Sequence, residues 1–331
     1  MNHHRPPISP SRRRLLAWAV GASSIAWSPV RAASSPRGVV RILVGSAPGS
    51  VMDVAARQIG EAFASQTGQT VLVDNRPSAG GIVALEALRQ AAPDGLTLSL
   101  VHAMQMSAAP GLFPRLPYDP LVDFAPLGVL FRGPQVLTLN PAAIGAASGP
   151  ELLRLLKAHP GRYRYATPGN GTPQHLTMEL IKATAGVDVQ HIPYRGPAAT
   201  AAVVSGEVDL MLEGVMPLLP HLHAGKLRAV AVGGLQRVAV LSEEPTFEEL
   251  GVTSIGTVWV GMVAPKATPV DIVQRLSAEL SRAMSSPALR VAFESTGRIV
   301  SPGSPDEMAS TIRSETPVWR AIVQRARITS D

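Results

Sequence analysis

The sequence predicts an α/β protein built from two parallel or mixed sheets flanked by helices, with two crossing segments as a hinge. Three observations predict it. The 331 residues are 46% hydrophobic, 16% charged and 4% aromatic, with an Ala, Val, Leu and Gly richness typical of helices packed on parallel sheets. From Arg37 onward, short apolar runs alternate with helical patterns at the spacing of parallel strands joined by right-handed crossovers. The alternation then stops at a Pro-rich connector, restarts, and ends in one more extended run before a helical tail.

The elements follow in order. VVRILVG (39–45) reads as a buried strand, and VMDVAARQIGEAFASQTG (51–68) has helical apolar spacing and closes at a capping Gly68. QTVLVDNR (69–76) is a second strand, GGIVALEALRQAAPDG (80–95) a helix closed by Pro-Asp-Gly, and LTLSLVHA (96–103) a third strand. After the connector PGLFPRLPYDPLVDFAPLG (110–128) come two extended runs, VLF (129–131) and QVLTLN (135–140), split by Arg132-Gly133-Pro134. Helix–strand pairs follow at 151–166, 172–195, with its start turned by Thr172-Pro173, 196–214 and 216–234. TSIGTVWVGMVAP (253–265) is extended again, and 269–327 is mostly helical. The expected division puts 37–133 and 260–331 in one domain and 134–259 in the other. Such units, facing across a hinge, would form a clamp with ligands beyond the carboxyl ends of the strands.

The amino-terminal segment reads differently. Arg12-Arg13-Arg14 forms a basic start, Leu15 to Trp27 is apolar but short for a bilayer span, and small residues around Ala32 and Ala33 suit cleavage. This is the layout of an export signal (1–33), and Ser11-Arg12-Arg13-Arg14-Leu15-Leu16 has a twin-arginine look. The segment through Ala32 holds five of the 30 basic residues (Arg5, Arg12, Arg13, Arg14, Arg31) and none of the 24 acidic ones, so the rest carries a net charge of only +1. That balance leaves no basic patch for nucleic acid. With no cysteine there is no disulfide framework and no thiolate chemistry.

Three loops share one design: a strand end, small residues and a helix start. They are Ser46-Ala47-Pro48-Gly49-Ser50, Pro77-Ser78-Ala79-Gly80-Gly81 and Thr167-Pro168-Gly169-Asn170-Gly171-Thr172. Ser50 with Asp53 resembles a capping box, and Thr172-Pro173 an N-cap with proline at N1. Helix starts carry unpaired N–H groups and partial positive charge, so carboxylates or phosphates can be held there without Lys or Arg. One such loop is ordinary chain reversal; three facing one gap would be a site. His175, in the first turn after Thr172, is either a partly exposed helix residue or a hydrogen-bonding partner of ligand or facing loop. No dinucleotide, P-loop or nucleophile-elbow motif is present. His221 and His223 read as a surface pair, Met104, Met106, Met211 and Met216 as core, and Asp209 and Glu213 as strand-end caps. A hydrolase using His175 and a nearby Ser lacks the usual nucleophile, base and orienter, so no enzyme and no cofactor are expected.

Nine segments follow one another along 37–328: RILVGSAPGSVMDVAAR, VLVDNRPSAGG, AAPDGLTL, LPYDPLVDFAPLG, HPGRYRYATPGNGTPQHLTMEL, GVDVQHIPYRGPAAT, GEVDLML, PHLHAGKLRAVAV and PTFEELG. In these segments and their order the chain resembles the Bug-type substrate-binding proteins of tripartite tricarboxylate transporters. The resemblance implies a two-domain type II periplasmic binding-protein fold and a monomeric receptor outside the cytoplasmic membrane. Its solute would be a small organic acid: a mono- or dicarboxylate, an amino acid or an aromatic acid. The partners would be membrane transporter subunits or a sensor kinase. Carried over by position, the ligand loops are Ala47–Ser50, Ser78–Gly81 and Thr167–Thr172, with Asp53, His175, Tyr194, Arg195, Gly196 and Glu213 as further contacts. Ser50 and Ser78 stand where the family usually has glycine, and Glu213 where aspartate is common.

Overall fold

Strand β1 (Val40–Val44) is the first regular element of the computed structural model, which describes Met1 and residues 38–234, 236–252 and 257–328. The expected export signal lies outside the described residues, Met1 apart. The other strands are β2 (Val71–Asn75), β3 (Thr97–His102), β4 (Phe124–Leu139), β5 (Arg164–Thr167), β6 (Gln190–Pro193), β7 (Leu210–Gly214), β8 (Arg228–Val232), β9 (Thr257–Pro265) and β10 (Ile299–Val300). The helices are α1 (Val51–Thr67), α2 (Ile82–Arg89), α3 (Ala109–Leu112), α4 (Gly149–Ala158), α5 (Pro173–Ala185), α6 (Ala198–Ser205), α7 (Val215–His223), α8 (Val270–Met284), α9 (Pro287–Glu294) and α10 (Pro305–Ala326).

The strand order is β2-β1-β3-β9-β4-β7-β5-β6, with β10 and β8 also on β4. Strands β1, β2 and β3 are parallel, as are β5, β6 and β7. Strand β9 runs antiparallel to β3 and β4, and β4 antiparallel to β7 and β8, so both sheets are mixed. The parallel strands come from the strand–helix alternation; the antiparallel ones are the crossing segments, which the helical period does not reveal.

Strand β4 corrects one expectation. The runs 129–131 and 135–140 belong to one continuous strand. Gly133 and Pro134 still pair with Val258 and Thr257, while Gln135–Leu139 turns to pair with β7 and β8. Proline fits extended backbone and lacks only the donor, so it can sit where a strand leaves one sheet for the next. Helix α2 also starts later than the pattern suggests. Gly80 and Gly81 take φ of 63° and 70° in a tight turn, and the helix begins at Ile82.

Each sheet carries its own apolar layers. Ile59 and Phe63 of α1 pack with Ile42, Leu100, Met262 and Leu280 around the first sheet. Tyr165, Ile181, Leu210 and Phe247 pack around the second. Burying each such side chain contributes about 1.5–3 kcal/mol. A separate seam joins the halves: Leu176 and Leu180 of α5 pack with Leu112 and with Trp319, Ile322 and Val323 of α10. Capping sets the helix ends. Ser50 and Thr172 accept from the N–H of Asp53 and His175, and Gly68 and Gly186 close α1 and α5 in left-handed conformation.

Candidate functional site

The carboxyl ends of β3, β5 and β7 and the start of α1 converge on two adjoining cavities. The larger, 410 Å³, is lined by Gly80 of the second loop, by Pro168–Thr172 of the third, and by Tyr194 and Arg195. Met104, Gln105, Leu112 and Phe113 close it from the first-sheet side. The smaller, 290 Å³, is lined by Val51 and Met52 at the start of α1, by Glu213–Pro217 at the β7–α7 junction, and by Gln135, Gln174 and Arg298. His102 and Pro173 line both.

Helix starts here are less bare than the sequence suggests. In the first loop the Asp53 carboxylate accepts from Gly49 N (2.8 Å), Arg57 Nε (3.1 Å) and Asn75 Nδ2 (3.0 Å). Ser46 Oγ meets Ser50 Oγ at 2.8 Å. Asp53 is 3% exposed, and the Arg57 bond is the main reason its carboxyl is held down to about 2. Asp53 therefore builds the loop from behind. Ala47, Pro48, Gly49 and Ser50 line neither cavity; the loop's contribution is to place Val51 and Met52, the first two residues of α1, on the wall of the smaller one. Ser78 likewise works inward, its hydroxyl accepting from Val83 N at 3.1 Å in the turn containing Ala79.

The third loop is self-supporting. Thr167 Oγ1 donates to Gly169 O (3.1 Å) and Thr172 Oγ1 to the same oxygen (2.8 Å). His175 Nδ1 accepts from Gly171 N at 3.2 Å, so the ring is neutral with its proton on Nε2. It stacks on His191 at 3.8 Å and is buried, and burial lowers its pKa. His191 Nε2 in turn meets Thr167 Oγ1 at 2.6 Å, and burial pushes His191 down to about 4. Thus Thr167 and His175 hold the loop, while Gly169, Asn170, Gly171 and Thr172 face the cavity. Gly171 needs glycine, with φ of 69° and a Cβ that would stand 3.4 Å from Leu112. Tyr194 is fixed through Oη to Glu207 (2.9 Å), and Gly196 N donates to Pro168 O (3.3 Å), tying that turn to the third loop.

Glu213 is the one acidic side chain on either cavity among the described residues. Its Oε1 accepts from Gln174 Nε2 (2.6 Å) and Gly214 N (2.7 Å), and burial raises its pKa. Asp209, by contrast, accepts from Arg164 N (2.8 Å) away from both cavities. Met106 and Met211 are core, whereas Met104 and Met216 line the cavities.

Sequence reasoning missed His102, Gln135, Gln174 and Arg298. His102 ends β3, so the rule that ligands gather at strand carboxyl ends would have found it. Its Nδ1 is buried without a partner, and burial pushes the ring down to about 4. Gln135 follows the crossing at Pro134, which the split reading of β4 obscured. Arg298 reaches the site only because the tail folds back beside β4, and no local pattern signals that. The arrangement suits binding: an imidazole, amide side chains, the Glu213 carboxyl and the guanidiniums of Arg195 and Arg298 stand among apolar walls.

Residues 55–328 match the sequence profile of the tripartite tricarboxylate transporter family receptor. Protein BugT of Bordetella pertussis is 31% identical over 300 residues, covering 90% of this chain and 92% of its own. Two solved structures from Rhodopseudomonas palustris are similar: Rpa4515 with adipate (27% identity, TM-score 0.76, covering 89% of this chain and 99% of that one) and MatC with bound malate (30%, 0.71, 86% and 98%). The chain belongs to the tripartite tricarboxylate transporter receptor family, whose members are periplasmic solute-binding proteins and not enzymes.

Proposed function

We propose that the protein captures a small organic carboxylate between its two halves and delivers it to the membrane subunits of a tripartite tricarboxylate-type transporter. The observation that carries this reading is the pair of adjoining cavities walled by strand ends and helix starts from both sheets. Helix starts favour negative charge. The acids in the Rpa4515 and MatC structures support the solute class. In this reading residues 37–133 and 260–331 form one domain and 134–259 the other, hinged at Gly133-Pro134 and at the return into β9. A solute touching both would supply the free energy of closure. Residues 1–33 direct export and are removed near Ala32 or Ala33, leaving a monomeric periplasmic receptor.

Calorimetry of the exported, processed protein against mono-, di- and tricarboxylates tests the reading. Binding accompanied by a smaller radius of gyration is the expected result. No heat from any acid, at concentrations up to millimolar, would reject it.

A further inference from the structure

His191 lies on β6 in register with Tyr165 of β5, and it lines neither site cavity. Side chains two apart on a strand share a face, so Tyr165 and Thr167 stand on the side of the sheet that His191 occupies. The imidazole stacks on the Tyr165 ring, 4.9 Å between centres, and on the His175 ring, 3.8 Å with planes 20° apart. Its Nε2 lies 2.6 Å from Thr167 Oγ1. One ring therefore grips the third loop at its strand end, through Thr167, and at its helix start, through His175.

The protons of this cluster follow from its donors. With the Thr167 hydroxyl proton given to Gly169 O, His191 donates from Nε2 to Thr167 Oγ1, which also accepts from Gly169 N at 3.3 Å. His175 receives Gly171 N–H at Nδ1, so a proton added to His175 would enter at Nδ1 and face that N–H donor to donor. Charging both rings would also set two cations face to face. On α5, Glu179 is shared by Tyr165 Oη and Lys182 Nζ, each at 2.7 Å. Strand β7 brings Glu213 to Gln174, next to His175, and α10 brings Arg325 to the groove that Glu179 and Lys182 line. Burial lowers the pKa of both histidines, His191 to about 4, against the pull of Glu179.

We propose that His191 is a positioning residue for solute capture: by clamping Thr167 and His175 it holds the Gly169–Thr172 backbone in the shape that walls the larger cavity, and acid undoes the clamp. The role in capture rests on the receptor reading; the clamp does not. Both rings are neutral at pH 7, so the clamp is whole there and is lost as pH falls through their folded-state values.

Amide hydrogen exchange resolved by magnetic resonance, expressed as protection over the unfolded chain, tests the clamp on the processed protein without solute. Gly169 reports the strand end of the loop and Gly171 the helix start. At pH 7, His191→Ala should lower protection at both by about fivefold, the effect of losing one net hydrogen bond. His191→Phe keeps a ring in the stack, so it should lower Gly169 and spare Gly171. In a Thr167→Val background, His191→Phe should change Gly169 no further, because both substitutions remove the same bond. Leu180 and Ile181, deeper in α5, should keep wild-type protection throughout. In wild type, Gly171 should lose protection before Leu180 and Ile181 as pH falls from 7 towards 4. Calorimetry with malate and adipate as probes should show affinity weakened by about fivefold in His191→Ala. Unchanged Gly169 and Gly171 protection, additive effects of His191→Phe and Thr167→Val, or a loss spread evenly along α5 would overturn the clamp. Lost protection with wild-type affinity would overturn the role in capture alone. If neither acid binds wild type, the receptor reading fails for those acids and the exchange results decide the clamp. Should His191→Ala fail to fold, His191→Phe, the Thr167→Val background and the wild-type pH series decide it.

Discussion

Replacing Asp53 by alanine probes how the first loop is held at the cleft. The side chain accepts from Gly49 N, Arg57 and Asn75 at 2.8, 3.1 and 3.0 Å. The Gly49 and Asn75 bonds are each worth about 1 kcal/mol net. The Arg57 pair adds less, about 0.5 kcal/mol, because the guanidinium side is 56% exposed and screened by solvent. The loss should therefore be about 2–3 kcal/mol, or a fall of about 5 °C in melting temperature for a chain of this size. Circular dichroism melts from pH 7 to pH 2 give the second half of the test. The native carboxyl sits at about 2 against its ordinary 3.8. A lowered native pKa stabilises the fold above the unfolded value, and that contribution is lost as pH falls from 3.8 towards 2. The gap between wild type and Asp53→Ala should be full at neutral pH and close below pH 3.8. Because the loop places Val51 and Met52 on the wall of the smaller cavity, affinity for a bound acid should fall severalfold. Equal melting temperatures at pH 7, or a gap that persists at pH 2, would refute the reasoning.

Glu213→Gln removes a carboxyl whose pKa burial raises. A raised native pKa penalises the fold as pH climbs through the ordinary carboxylate range, so the variant should match or exceed wild-type melting temperature at pH 7 and lose that advantage near pH 4; a clear loss at pH 7 would contradict this. Leu176→Ala opens the seam between α5 and α10, where Leu176 is fully buried. It should cost about 3 kcal/mol in urea unfolding, and an unchanged midpoint would count against the seam. Gly171→Ala places a Cβ at φ of 69° beside Leu112. It should cost about 1 kcal/mol or more and weaken solute binding, whereas unchanged affinity would show that the third loop stands off the ligand.

Much of this molecule is legible in its sequence because the signals are local. Gly68 and Gly186 mark helix ends, Ser50 and Thr172 mark helix starts, and period-2 and period-3.6 runs locate most elements. The loop residues from Gly169 to Thr172, with Tyr194, Arg195 and Glu213, do line the cavities. What local pattern cannot supply is the direction in which a side chain is spent. Asp53, read both as part of a capping box and, by resemblance, as a ligand contact, and His175, read as a helix residue or a hydrogen-bonding partner of ligand or facing loop, both satisfy backbone amides of their own loops. Conversely, Arg298 lies in an unremarkable turn and acquires meaning only when β10 pairs with β4. Strand β4 hid its continuity because Gly-Pro reads as a break, whereas the chain uses it to pass between sheets.

The most direct measurement is a high-resolution crystal structure of the processed protein with an acid that calorimetry has shown to bind. The account predicts the carboxylate within the adjoining cavities, touching groups from both sheets. An acid seated elsewhere, or held by one sheet alone, would contradict it.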